Sequence, residues 1–106
     1  MSAAAQTIVA LATGQGKAGV AIVRCSGAQA RAALQAVTGR TSLPEPRMLA
    51  RASLRTGTGA LIDRGLVSWF PGPRSFTGED VAEFHVHGGP AVVRGLLDSM
   101  VWSCSS

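Results

Sequence analysis

The sequence has few of the features that mark several protein classes. Its two cysteines, Cys25 and Cys104, stand in no metal-binding or redox spacing, so we expect free thiols in a reducing compartment. No apolar run approaches the roughly 20 residues of a membrane-spanning helix. No basic residue precedes Lys17, so the start of the chain has neither the charged beginning of a secretory signal nor the arginines of a transit peptide.

What is present is the composition of a small globular domain. The chain has 106 residues, of which 46% are hydrophobic and 15% are charged, and this excludes a disordered tail. We expect one domain with a single core, or a piece of a larger protein. The net charge is +4, and no aromatic residue interleaves with the main arginine cluster, which favours a solvated face over a phosphate-binding one. That cluster consists of Arg40, Arg47, Arg51 and Arg55.

Hydrophobic periodicity predicts five strands and two helices. The predicted strands are TIVALAT, GVAIVRC, MLARASLRTG, ALIDRGLVSWF and VAEFHVH. The first helix follows a cap-like break at Ser26 and Gly27, is closed by Gly39, and has apolar positions at Ala30, Ala33, Leu34 and Val37. The second helix begins near Pro90 and has apolar positions at Val92, Val93, Leu96, Leu97 and Met100. The order β-β-α-β-β-β-α is typical of a single small α+β domain, with a mainly antiparallel or mixed sheet and the helices packed on it.

A glycine pattern near the start of the chain imitates a nucleotide site. Gly14, Gly16 and Gly19 spell GxGxxG, but a dinucleotide fold requires a helix after this pattern. The β-rich segment VAIVRC follows instead, and Ala18 stands where a phosphate-binding P-loop requires serine or threonine. We therefore interpret these glycines as turns between strands and predict no nucleotide phosphate site.

The densest polar stretch of the chain is SFTGEDVAEFHVHGGP. Alternate residues of a strand share a face, so Glu83, His85 and His87 lie on one side of the fifth predicted strand. The apolar residues between them face the core, which leaves the polar side to line a surface or a cleft. We expect Glu79 and Asp80 to shape the turn that leads into the strand.

Three interpretations of this polar face are open. A metal-dependent enzyme would use Glu83, His85 and His87 as ligands, since H-x-H is a known ligand spacing, although no other histidine exists in the chain. A sheet face without function is the second interpretation. The third, which the pattern favours, is recognition of a ligand, in which a carboxylate accepts two parallel hydrogen bonds from an amidine-like edge.

Two segments of the chain resemble a known family. The resemblance is to the N-terminal domain of the MnmE (TrmE) tRNA-modification GTPases. It is carried by the segments TIVALATGQGKAGVAIVRCSG and WFPGPRSFTGEDVAEFHVHGGPAVV and by the spacing between them. The residues of these segments are most similar to those of the mitochondrial members. The resemblance implies a folate-binding and dimerisation domain at residues 6–100, followed by a tail outside the family at 101–106. It implies the fold of the folate-binding domain of aminomethyltransferases. The implied location is mitochondrial, with the bacterial cytoplasm as the alternative.

The resemblance also implies a cofactor and two contacts with it. The cofactor is a reduced folate, 5-formyl-tetrahydrofolate or methylene-tetrahydrofolate, which acts as a one-carbon donor; no metal and no catalytic residue are implied in this domain. The folate contacts correspond to Arg24 in VRCSG and Glu83 in FTGEDVAE. A pterin presents a ring N–H and an amino group side by side, and one carboxylate can accept both hydrogen bonds. The alternative for Arg24 is an edge arginine whose charge reaches out from the sheet to water.

The partners that the resemblance implies lie mostly outside this chain. They are a second copy of the domain, a MnmG-like flavoprotein and, through the full complex, tRNA; no membrane is implied. The family continues with a GEF-x-x-RAF-x-NGK-L segment, whose lysine also contacts the folate, and with GTPase and helical domains. The ending MVWSCSS does not resemble the family, so we expect a truncated product with an incomplete folate pocket, which is not an enzyme on its own. A structural dimerisation module without ligand remains an alternative.

Overall fold

The computed structural model describes residues 8–11, 19–75, 78–87 and 89–104, with side chains described as far as Met100. The elements follow the predicted order, and each predicted strand and helix is found. No helix of the described residues is long and apolar enough to cross a membrane. In chain order the elements are β1 (Ile8–Leu11), β2 (Val20–Ser26), α1 (Ala30–Thr38), β3 (Ala50–Arg55), β4 (Leu61–Phe70), β5 (Val81–His87) and α2 (Pro90–Cys104).

The five strands form one sheet in the order β1-β2-β5-β4-β3, and all the pairings are antiparallel. This confirms the α+β prediction and resolves its choice between an antiparallel and a mixed sheet. β5 is the central strand, paired with β2 on one side and with β4 on the other. Its Glu83 therefore lies between Arg24 of β2 and Ser68 of β4, which are its partners in register.

The sheet has one face covered by helices and one open face. On the covered face, strand residues such as Val23, Phe84 and Val67 form a buried core with the apolar stripes of α1 and α2. Because side chains alternate along a strand, the residues between them belong to the other side. We call this side the open face; it carries Val20, Ile22, Arg24, Arg51, Ser53, Arg64, Leu66, Ser68, Glu83, His85 and His87.

Helix α1 is formed as its periodicity predicts. The four predicted core positions are all buried, and the helix ends at Gly39, whose φ of 68° is the left-handed conformation that glycine adopts without strain. Its start differs from the prediction. Ser26 is the last residue of β2, Gly27 donates its N–H to the Asp80 carbonyl at 2.9 Å, and Gln29 occupies the N-cap position without a side-chain cap hydrogen bond.

Helix α2 begins at Pro90, as predicted. Three of its five predicted core residues are completely buried, namely Val93, Leu96 and Met100. The other two, Val92 and Leu97, are partly buried against the same core. The helix continues to Cys104, across the predicted boundary between the domain and the tail at 101–106, and that division stays a prediction.

The glycine pattern near the start of the chain leads into a strand. Gly14 and Gly16, with Ala18, lie outside the described residues, whereas Gly19 is described and β2 begins directly after it. A strand at this position confirms the sequence argument against a dinucleotide-binding helix. Cys25 within β2 is a buried free thiol, also as predicted.

Candidate functional site

The centre of the open face is an ion pair between neighbouring strands. Arg24 Nε and Nη2 donate hydrogen bonds to Glu83 Oε2, at 2.9 Å and 2.7 Å. Glu83 is only 7% exposed, while the Arg24 side chain is 36% exposed. The structure thus brings together the two residues that the family resemblance selected. It also buries Glu83 more deeply than the expected surface or cleft position.

The second oxygen of Glu83 is less occupied than the first. Oε2 accepts both Arg24 hydrogen bonds, which uses the two acceptor positions of one carboxylate oxygen. Oε1 has a contact of 3.3 Å with His85 Nε2, which is longer than an ordinary N–H···O hydrogen bond. Oε1 therefore keeps capacity for further donors. A ligand edge that used both oxygens would replace one of the Arg24 hydrogen bonds.

Ser68 places an unsatisfied polar group beside this carboxylate. It is directly opposite Glu83 in register and only 2% exposed. Its hydroxyl is the buried side-chain polar atom that has no hydrogen-bond partner within the described part of the chain. A buried hydroxyl without a partner costs about 1–3 kcal/mol, and such groups are often found at functional sites. Sequence reasoning did not select Ser68; the available signal was one hydroxyl in the apolar run LVSWF.

The two histidines of β5 bind different carboxylates. His85 faces Glu83, whereas His87 bonds Asp63 of β4 through its backbone N–H at 2.8 Å and through Nδ1 at 2.9 Å. Since a carboxylate only accepts hydrogen bonds, Nδ1 carries the proton in this contact. Among the described residues, no three histidine, cysteine or acidic side chains come together as metal ligands. The alternative of a metal centre therefore has no converging ligand set there.

The neighbours of Asp63 donate hydrogen bonds to its carboxylate and stabilise the ionised form. Burial alone would raise the pKa of the Asp63 carboxyl, but hydrogen bonds from the backbone N–H and the imidazole of His87, and from the Arg64 backbone, outweigh it. The net result is a pKa below the ordinary value of an aspartate. Asp63 was not predicted because it lies in another strand, and the sequence pattern of β5 alone does not reveal this partner.

Hydrogen bonds hold the segment before β5, and the Asp80 side chain takes part in them as the sequence predicts. Asp80 Oδ1 accepts a hydrogen bond from the Gly72 N–H at 2.9 Å, and the Ser75 hydroxyl donates to the Glu79 carbonyl. The Asp80 carbonyl also receives the Gly27 N–H, which connects this segment to the end of β2. Phe76, Thr77 and Gly88 of the polar stretch lie outside the described residues.

Comparison with known proteins shows the family to which this chain belongs. The family model described as "GTP-binding protein TrmE N-terminus" matches residues 7–104. The chain belongs to the TrmE N-terminus family. This confirms the resemblance proposed from the two sequence segments, and it covers all seven elements of the TrmE N-terminus domain seen here.

Relatives of this TrmE N-terminus domain occur in bacteria and in mitochondria. The tRNA modification GTPase MnmE of Maricaulis maris is 54% identical over 94 residues, which cover 89% of this chain and 21% of that protein. The mitochondrial 5-taurinomethyluridine-[tRNA] synthase subunit GTPB3 of Danio rerio is 55% identical over 98 residues, and that of Homo sapiens is 52% identical over 98 residues; both alignments cover 89% of this chain and 19% of the relative. The chain therefore spans about a fifth of the length of these relatives.

Proposed function

We propose that this chain is the folate-binding and dimerisation domain of a tRNA wobble-uridine modification GTPase. Its ligand is a reduced folate, 5-formyl- or methylene-tetrahydrofolate, which supplies a one-carbon unit. The observation that carries the proposal is the buried carboxylate of Glu83, whose Oε1 keeps acceptor capacity while Arg24 holds Oε2. Family membership supports it, because the relatives are named as tRNA modification proteins.

The surroundings of Glu83 suit a flat, polar-edged ring. The ring N–H and exocyclic amino group of a pterin are adjacent donors, which a carboxylate accepts in a paired geometry. Ile22 and Leu66 flank His85 in register on the two neighbouring strands and are partly exposed. They offer apolar surface to the faces of the ring, while Glu83 and Arg24 can form hydrogen bonds with its polar edge.

The relatives support a proposal for the wider role of the chain. We propose that it acts through a longer protein, with a second copy, a MnmG-like flavoprotein and tRNA as partners, and that it is not an enzyme on its own. We propose a mitochondrial location; the bacterial cytoplasm is the alternative, since similar relatives are found in both settings.

The first test is the substitution Glu83→Gln. It removes the charge from the acceptor and replaces one oxygen by a donor, so reduced-folate binding should weaken by roughly 2–3 kcal/mol, or about 30- to 150-fold in the dissociation constant. Isothermal titration of the chain with 5-formyl-tetrahydrofolate measures this change.

The matched control is Glu45→Gln, the same chemical change at an exposed loop residue. It should bind like the parent chain. If a folded Glu83→Gln variant had the same dissociation constant for reduced folate as the parent, Glu83 would not bind the pterin. A parent chain that binds no reduced folate would contradict the proposed function and leave the structural dimerisation module as the better interpretation.

A further inference from the structure

A second feature of the open face is a pocket on the His85 side of Glu83. It has a volume of about 810 Å³. His85 lines this pocket and also contacts Glu83 Oε1, so one side chain borders both the pocket and the candidate folate site. It is also lined by His87 of β5 and by arginines from three segments of the chain, Arg40, Arg51 and Arg64. We call it the basic pocket.

The arginines of the basic pocket differ from the others near them. Arg24 is paired with Glu83, Arg47 donates to the Arg74 carbonyl at 3.0 Å, and Arg55 donates to the Gly59 carbonyl at 3.0 Å. In contrast, no carboxylate within the described part of the chain pairs with the three pocket arginines. The sequence cluster interpreted as one solvated face is therefore divided, and only part of it faces the pocket.

The charge of the basic pocket is not balanced by its own lining. The described residues that line it include no aspartate or glutamate, and the nearby Asp63 is engaged by His87. Three guanidinium groups around one concavity repel each other, and an anion with several charges relieves that repulsion. Planar guanidinium groups match carboxylates especially well, because two N–H groups can meet the two oxygens.

We propose that the basic pocket binds the carboxylates of a poly-γ-glutamate tail on the folate. The inference rests on the proposed function and extends it to the other end of the same ligand. Folates consist of a pterin, a p-aminobenzoyl arm and one or more glutamates, and each added glutamate adds a carboxylate. From Glu83 to His87 the central strand advances by about 13 Å at roughly 3.3 Å per residue. Arg51 is in register with Leu66, which pairs with His85, so it lies on the His85 side of Glu83. An arm that follows β5 in this direction from a pterin at Glu83 would lead toward the arginines.

The lining of the pocket favours this ligand over a nucleic acid. Proteins that hold single-stranded nucleic acid combine basic residues with aromatic side chains on which bases stack. No aromatic residue except the two histidines is among the described residues that line the basic pocket. The pocket is also concave and lies beside the candidate site at Glu83, whose carboxylate accepts hydrogen bonds from an uncharged donor edge. These properties fit a ligand with an uncharged donor edge and an anionic tail.

The test compares two lengths of the same ligand. The 106-residue chain is titrated with the monoglutamate and the pentaglutamate of 5-formyl-tetrahydrofolate, at low ionic strength and in 0.5 M salt. The pentaglutamate should bind about tenfold more tightly at low ionic strength, since several exposed ion pairs each add a modest amount. The advantage should shrink in salt because exposed charges are screened.

Two double variants separate the pocket from the net charge. In Arg51→Gln/Arg64→Gln, the affinities of the two ligands should converge. The control Arg31→Gln/Arg94→Gln removes two exposed arginines from α1 and α2, so it has the same net charge, and it should keep the advantage of the pentaglutamate. Thermal unfolding of each variant verifies that it is folded.

The outcomes distinguish the two proposals. Equal affinity of the parent chain for the two ligands would overturn the tail assignment and leave folate binding intact. If neither ligand bound, the proposed function itself would fail, and the tail assignment with it. If the pocket variant lost binding to a tRNA while both folates bound the parent equally, the basic pocket would belong to a nucleic acid instead.

Discussion

At the scale of single residues, Glu83 shows how a buried charge can be both tolerated and usable. Burial of a carboxylate is unfavourable unless hydrogen bonds and an opposite charge compensate for it. Arg24 supplies both, and its guanidinium still reaches water. Because this partner is partly exposed, the ion pair contributes on the order of 1 kcal/mol or less to stability. The Glu83→Gln variant should therefore fold, which makes it a usable test of binding.

Ser68 gives a prediction about stability at the same site. Its buried hydroxyl lacks a partner among the described residues, so Ser68→Ala removes an unsatisfied polar group and should raise the free energy of unfolding by about 1 kcal/mol. Urea unfolding followed by circular dichroism measures this gain. Ser53→Ala, on the same face but more exposed, is the control and should change stability little. A clear loss of stability in Ser68→Ala would mean that the hydroxyl is satisfied in solution.

The sequence was a good guide to some of these residues and not to others. The family resemblance selected Arg24 and Glu83, strand alternation also pointed to Glu83, and the structure pairs the two residues. Whether they bind folate stays a prediction. Ser68 and Asp63 were not selected, because their importance comes from the register between β4 and β5, which no local pattern encodes.

At the scale of elements, helix α2 shows the limit of periodicity. Its five apolar positions form one broad stripe in the sequence, and the pattern does not rank them. The structure does: Val93, Leu96 and Met100 are completely buried, while Leu97 lies at the margin of the core. Which apolar positions of α2 face the core and which lie at its margin depends on how the helix packs on the sheet, and this is a property of the folded domain.

The ranking predicts different costs for two adjacent leucines. Leu96→Ala should lower the free energy of unfolding by about 2–4 kcal/mol, because it opens a cavity in a closed core. Leu97→Ala should cost about 1 kcal/mol, since its side chain is partly solvated in the folded state already. Urea midpoints of the two variants measure the difference, with the parent as reference. Equal losses would indicate that α2 is rotated in solution relative to its orientation here.

The junction of β4 and β5 is a second element that sequence reasoning did not anticipate. A Cβ atom at Gly65 would lie 2.3 Å from the His85 carbonyl oxygen, so only glycine fits this close approach. The paired ladder of the two strands ends at Leu66 and His85, and the Asp63 carboxylate then accepts the His87 N–H. A side chain thus replaces the backbone acceptor where the strands separate.

At the scale of the whole molecule, the open face leaves apolar side chains without a covering layer. Val20 on β2 is 54% exposed, and Ile22 and Leu66 on the same face are partly exposed; uncovered apolar patches often mark interfaces. This supports the proposed association with a second copy. Val20 also lines the basic pocket, so the association is measured without folate. Val20→Glu should shift the chain toward the monomer by about tenfold in the dimer dissociation constant, because a charge enters the contact. Sedimentation over a range of concentrations measures it.

The control for this prediction is Ala32→Glu, the same gain of charge at an exposed position of α1, on the helical layer. It should leave the association unchanged. A parent chain that sediments as a monomer at all concentrations would contradict the proposed dimer. Equal weakening by both variants would assign the effect to net charge and not to the open face.

The architecture as a whole could be predicted only in part. The element order and the α+β class follow from periodicity and turn residues, and the structure confirms both. The strand order could not be derived in this way, because the insertion of β5 between β2 and β4 depends on pairing between distant parts of the chain.

The position of β5 has a consequence for how the domain is made. The β1–β2 and β3–β4 pairs join neighbouring segments and can each form early, but each leaves a backbone edge exposed until β5 fills the gap. Arg24 and Glu83 are 59 residues apart and meet only at that late step. Their contact requires closure of the loop between them, which costs conformational entropy. On a ribosome, the sheet therefore stays in two halves until the central strand has left the exit tunnel. We therefore expect the ion pair at the candidate site to form late, and only in molecules in which β5 has paired with β2.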